Sequence, residues 1–139
     1  MRRTLFDKEL KPLGITRAQW WLLGNLSRHS DTGMNQTELA HLLETGKVSV
    51  GGMIDRLEAS KLVERKPDPT DRRGKRIYIT DSGFDMLEKI AIVGNRLDRL
   101  VFEGIDEDAV VIATEVMAQA KANIRKALSD DSGKATTQD

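Results

Sequence analysis

Apolar residues in this chain recur mostly three and four positions apart, the period of helices buried along one face, and polar residues of the helix-starting kind punctuate the recurrence. At the first such point the Thr16 hydroxyl can accept a backbone hydrogen bond while Gln19 reaches back, and Ile15 can staple onto Trp20. A helix is expected over residues 17–29. Asn35 and Glu38 repeat the arrangement, with Met34 set to pack on Leu39, and open a short helix ending near Leu43. Glu44-Thr45-Gly46 reads as a tight break, with Gly46 free to take the backbone angles that end one helix and begin the next. Over residues 47–60, Val50, Met53, Ile54 and Leu57 form one stripe of a further helix. Two short helices joined in this way make a helix–turn–helix.

The period then changes. Residues 62–66 and 76–80 are β-branched or partly alternating runs that bound the turn-rich Pro67-Asp68-Pro69-Thr70-Asp71, and they read as a β-hairpin with a long tip. Thr80 can cap the next helix, in which Phe84, Leu87, Ile90, Val93, Leu97 and Leu100 recur at helical spacing until Gly104 stops it. Ile105 and Asp106 open a last helix whose stripe is Ala109, Ala113, Val116, Ala120, Ile124 and Leu128, with Ile105 able to staple on Val110. After Leu128 no large apolar residue occurs, and residues 129–139 are expected to form a disordered tail. The fold class is therefore mainly α with a small β-hairpin wing: a winged helix–turn–helix domain with added terminal helices.

Composition changes this picture at one point. The 139 residues contain 22 Lys plus Arg against 22 Asp plus Glu, a zero balance that argues against a polyanionic partner. Resolved along the chain, however, residues 47–76 hold nine basic and five acidic side chains, and residues 77–139 hold seven and twelve. Arg72, Arg73, Lys75 and Arg76 crowd into five positions at the hairpin tip. Zero cysteine excludes disulfides, Cys-ligated metal and thiol switching, and fits a reducing compartment. There is neither an apolar run of membrane-spanning length nor a signal-peptide pattern, so a cytoplasmic protein with no membrane partner is expected.

Three stretches carry a resemblance: Gly-Ile-Thr-Arg-Ala-Gln-Trp from Gly14, Val-Gly-Gly-Met-Ile-Asp-Arg-Leu-Glu from Val50, and Leu-Val-Glu-Arg-Lys-Pro-Asp-Pro-Thr-Asp-Arg-Arg-Gly-Lys-Arg-Ile-Tyr-Ile-Thr from Leu62. With them the chain resembles the multiple-antibiotic-resistance regulator (MarR) family of winged-helix transcription factors over residues 5–128, in order. The resemblance implies a homodimeric repressor on a pseudo-palindromic double-stranded DNA operator, released by a small aromatic or phenolic effector near the junction of two lobes. It implies one domain over residues 1–128, with a DNA-binding lobe at 15–80 and dimerisation helices at 1–14 and 81–128. By position, Thr37 resembles a phosphate contact, and Lys47, Val48, Ser49 and Gly52 lie where the family reads the major groove, with Arg56 further along the same exposed face. Arg73 matches the arginine of the minor groove, Asp71 its orienting carboxylate, and Arg72, Lys75 and Arg76 backbone contacts.

Two departures stand out. Gly52 replaces a long polar side chain common in the family, which shifts specificity toward DNA shape and the wing. Only about a dozen residues precede Gly14, against a longer first helix in the family; dimerisation then rests more on the last two helices, or the chain starts within a longer protein.

Other chemistry is thin. Trp20 and Trp21 are the candidate effector-lining residues, weighed against core packing for Trp20 and against partner or first-helix contacts for Trp21. His29 and His41 lack metal-ligand spacing, and Asp106, Glu107 and Asp108 suit the positive end of a helix. Ser49 has no local base. No enzyme activity, cofactor or metal is expected. The competing reading is a winged-helix protein–protein interaction module, favoured by the smooth face that Gly51 and Gly52 give the second motif helix.

Overall fold

The computed structural model describes residues 1–44 and 46–134, without the side chains of Lys47 and of residues 131–134. Helix α1 (Arg2–Leu10) runs through a 3-10 turn (Lys11–Leu13) into α2 (Arg17–Arg28), followed by β1 (Met34–Asn35), α3 (Gln36–Leu42), α4 (Lys47–Ala59), β2 (Val63–Pro67), β3 (Lys75–Ile79), α5 (Asp81–Val101) and α6 (Glu107–Lys134). The chain divides into two compact units, Met1–Leu97 and Asp98–Asp139.

In the first unit both capping boxes form. Gln19 N–H donates to Thr16 Oγ1 at 3.2 Å while Thr16 N–H donates to Gln19 Oε1 at 2.9 Å. Glu38 N–H donates to Asn35 Oδ1 at 2.8 Å and Asn35 N–H to Glu38 Oε2 at 2.9 Å. Each box satisfies donors that a helix start leaves without an intrahelical partner, worth about 1 kcal/mol per cap. The faces so oriented bury Leu22, Leu23 and Leu26 of α2, Leu39 of α3, and Val50, Ile54 and Leu57 of α4 in one core with Leu10, Ile77 and Ile90. Phe6 of α1 meets Trp20 edge-to-face at 5.1 Å between ring centres, and Glu9 pairs with Arg96 of α5.

Four local expectations are corrected. The break between α3 and α4 puts its left-handed residue at Glu44 (φ 51°), while Gly46 is extended (φ −71°, ψ 149°) and serves as the N-cap of α4. The hairpin gains a third strand, because Met34 and Asn35 pair with Ile77 and Arg76 to give the antiparallel order β1-β3-β2. On α5 the buried line runs through Gly83, Ile90 and Leu97, with Met86 and Leu87 beside it, and leaves Phe84 and Leu100 exposed. Gly83 makes that register possible, since its missing side chain lets the helix start lie against Leu62 O and Ile79. Finally, α6 continues to Lys134, past the expected start of the tail at residue 129. Residues 135–139 of that expected tail lie outside the described residues.

Within the second unit, Asp106 starts α6: its Oδ1 accepts from Asp108 N–H at 2.8 Å and Ala109 N–H at 3.3 Å. Ile105 and Val110, the expected staple, line one depression of about 420 Å³ together with Phe102 and Met117. Most of the α6 stripe is exposed, Val116, Ile124 and Leu128 included. Among the described residues, no helix is long and apolar enough to cross a membrane.

Candidate nucleic-acid interface

Helix α4 buries one stripe and so presents the opposite one. Val48 is 90% exposed, an unusual setting for a β-branched apolar side chain, and Ser49 is exposed beside it. One turn on, a side chain at Gly52 would meet nothing within 4 Å, so that position is open space rather than a packing requirement. Gly51 differs, because a Cβ there would lie 2.8 Å from Gln36 Nε2 of α3. Thr37 is exposed in the first turn of α3, and Arg56 is exposed on α4 without an ion pair among the described residues. Lys47 begins α4, and its side chain lies outside the described residues.

The wing is held at its base and at its tip. At the tip, Asp68 N–H donates to Gly74 O at 3.0 Å and Gly74 N–H to Asp71 O at 3.1 Å. Asp68 Oδ1 accepts from both the backbone and the hydroxyl of Thr70, each at 2.8 Å. These bonds, with the smaller help of Arg76, hold the Asp68 carboxyl below the usual aspartate range. Asp71 Oδ1 accepts from Arg73 N–H at 3.0 Å, so the expected orienting carboxylate meets the arginine through its backbone. At the base, Arg65 of β2 reaches α4, with Nη2 2.6 Å from Asp55 Oδ1 and Nη1 2.9 Å from Glu58 Oε1. Burial works against the Arg65 charge, but those hydrogen bonds and the two carboxylate charges outweigh it and raise its pKa.

The four wing cations separate into two kinds. Arg72, Arg73 and Lys75 are exposed and have no ion pair among the described residues. Arg76 turns inward instead, with Nε 2.7 Å from Thr32 O and Nη2 2.9 Å from Gly33 O. Sequence reasoning missed Asp68 and Arg65 as organisers of the wing. The Asp68-Pro69-Thr70 run carries an Asx-turn signal that identifies the first. For Arg65 no local signal exists, since its partners lie 7 and 10 residues away on another element.

Trp20 packs on Phe6 and the core, Trp21 is 48% exposed, and neither lines the cavity of about 430 Å³ between Asp7, Leu10, Ile15 and Arg17 or the one in the second unit.

A helix–turn–helix whose second helix offers a free face, next to a braced hairpin with unpaired cations at its tip, defines a winged-helix protein. Comparison with known proteins agrees. The model of the MarR family matches residues 13–74. A mutant MepR from a multidrug-resistant S. aureus clinical isolate is 30% identical, over 90% of this chain and 85% of that one, with a TM-score of 0.67. The S. aureus MepR–DNA complex is 28% identical over 92% and 86%, with a TM-score of 0.70. A mutant MarR of E. coli complexed with operator DNA is 27% identical over 86% and 84%, with a TM-score of 0.68. The chain belongs to the MarR family, whose members are winged-helix transcription regulators and not enzymes.

Proposed function

We propose that this regulator works in the cytoplasm as a homodimeric repressor on a pseudo-palindromic operator, with α4 in the major groove and the wing in the minor groove. The observation that carries the reading is the set of three exposed cations, Arg72, Arg73 and Lys75, which have no ion pair among the described residues and sit on a turn closed by hydrogen bonds at Asp68, Asp71 and Gly74. A planar, permanently charged and weakly hydrated guanidinium suits a narrow minor groove, and a preformed turn lowers the ordering cost of inserting it. The DNA complexes of MepR and MarR support the same partner for this chain. Dimerisation is supported by the apolar residues that α6 leaves exposed, Val111, Ile112, Val116, Met117, Ile124 and Leu128, and by the two-fold symmetry of paired half-sites. Release by a small aromatic or phenolic effector is the regulatory step that family membership supports.

The test is an anisotropy titration of the purified protein on its own promoter fragment over a salt series. Wild type is expected to bind with an affinity that falls steeply with salt, and Arg73→Ala to weaken binding by about 1–3 kcal/mol. Equal binding by the two proteins would remove the wing from the interface. Absence of any salt-sensitive binding would favour the protein–protein module instead.

A further inference from the structure

Arg76 sits in the cation run yet is built into the fold. Its side chain is 18% exposed, and its donors reach Thr32 O at 2.7 Å and Gly33 O at 2.9 Å. Nη1 lies 3.5 Å from Asp68 Oδ2 and Nη2 3.5 Å from Glu38 Oε2. These partners come from three separate places: the turn before β1, the first turn of α3, and the wing loop. Two of them carry further structure, since Glu38 closes the capping box of α3 and Asp68 closes the turn at Thr70. Arg76 also occupies the position of the central strand β3 that pairs with Asn35 on one side and Lys66 on the other.

We propose that Arg76 is a positioning residue that clamps the wing to the start of α3, and that it acts on DNA through Arg73 instead of touching a phosphate itself. This rests on the DNA-binding reading above. Nearly all of the guanidinium's N–H donors are committed inside the chain, so reaching a phosphate would strip two backbone carbonyls and two carboxylates of their partner. The fork geometry matters more than the charge, and a lysine ammonium cannot reproduce it. The clamp also reverses an electrostatic expectation. Neutralising a carboxylate near a polyanion ordinarily tightens binding. Here Asp68 holds Arg76, so its neutralisation loosens the wing and weakens binding.

The experiment uses the full chain, a labelled duplex of its own promoter fragment, and Arg76→Lys, Arg76→Gln, Asp68→Asn and Glu38→Gln, the two Arg76 variants also in an Arg73→Ala background. The clamp predicts that Arg76→Lys weakens binding about as much as Arg76→Gln, by roughly ten-fold, and that neither adds much to Arg73→Ala. Asp68→Asn weakens binding as well. The proposal is overturned if Arg76→Lys binds like wild type, if the losses multiply with that of Arg73→Ala, or if Asp68→Asn binds more tightly. Should an Arg76 variant fail to fold, Asp68→Asn and Glu38→Gln leave the cation in place and decide by the sign of their effect. A second readout needs no DNA: in free Arg76→Lys or Asp68→Asn, amide exchange at Asp68, Arg73 and Gly74 should quicken while core amides of α2 stay protected. Unchanged wing exchange overturns the clamp. Failure of wild type to bind DNA, with wing exchange altered as expected, overturns the DNA reading instead.

Discussion

Substitution of Gly83 by alanine tests the packing register of α5 directly. Gly83 is buried in the first turn of that helix, and a Cβ added there would lie 2.3 Å from Leu62 O and 2.5 Å from Ile79 Cγ1. The isoleucine can turn aside, but the carbonyl cannot. Leu62 O accepts from Thr80 N–H at 3.1 Å, and the preceding carbonyl, Lys61 O, accepts from Thr80 Oγ1 at 2.7 Å. The same Oγ1 accepts from Gly83 N–H at 3.1 Å and caps α5. Relief of the clash therefore moves the helix start and loosens its cap. Alanine gains up to about 1 kcal/mol from helix propensity and reduced unfolded-state entropy. Against this stand about 1–3 kcal/mol of overpacking and about 1 kcal/mol for a weakened cap, which leaves a net loss of about 2 kcal/mol. The control is Gly24→Ala in the interior of α2, where an added Cβ meets nothing within 4 Å and a gain of about 0.5–1 kcal/mol is expected. Urea unfolding followed by the fluorescence of Trp20 and Trp21, at one fixed protein concentration, measures both. A Gly83→Ala protein as stable as wild type, or stabilised like Gly24→Ala, would refute the argument.

Two further outcomes concern the interface and the wing. With Val48 exposed and Gly52 open beside it, the natural target of this face is the 5-methyl group of a thymine, which the major groove displays. Deoxyuridine in place of the thymine read should weaken wild-type binding by about 0.8 kcal/mol and leave Val48→Ala almost unaffected, whereas indifference of wild type to every such swap would remove Val48 from base reading. The folded-state pKa of Asp68 is depressed by the Thr70 bonds. Its contribution to stability is therefore complete above the unfolded aspartate value of about 4 and fades as pH falls below it. Urea midpoints taken at decreasing pH should converge for wild type and Asp68→Asn in that acid range, and a constant gap down to the lowest pH would refute the assignment.

Features made by neighbours in sequence were legible, and features made by distant approach were not. The capping boxes at Thr16 and Asn35 need only residues three apart, so their residue types announce them. The stripe of α4 was equally readable, because Val50, Ile54 and Leu57 obey one period. Strand β1 is two residues long, too short for any periodicity, and exists through its pairing with β3. Gly83 reads as a poor helix residue until Leu62 and Ile79 come against it. Among the wing cations, composition makes Arg72, Arg73, Lys75 and Arg76 equivalent. What separates Arg76 is a pair of carbonyls 43 and 44 residues earlier in the chain.

The same separation explains how a chain with a zero charge balance can address a polyanion. Segment 47–76 holds five acidic residues, and four of them are spent on ion pairs: Asp55 and Glu58 on Arg65, Glu64 on Lys66, and Asp68 on Arg76. The fifth, Asp71, holds the backbone N–H of Arg73. Acidic residues here do not dilute the wing, because they brace it through cations that are then withdrawn from solvent or paired. A paired cation must break its bridge before it can take a phosphate, whereas Arg72, Arg73 and Lys75 give up only water and loosely held counterions. Affinity for DNA should therefore follow the unpaired cations on a fixed turn, and the net charge of the chain says little about it.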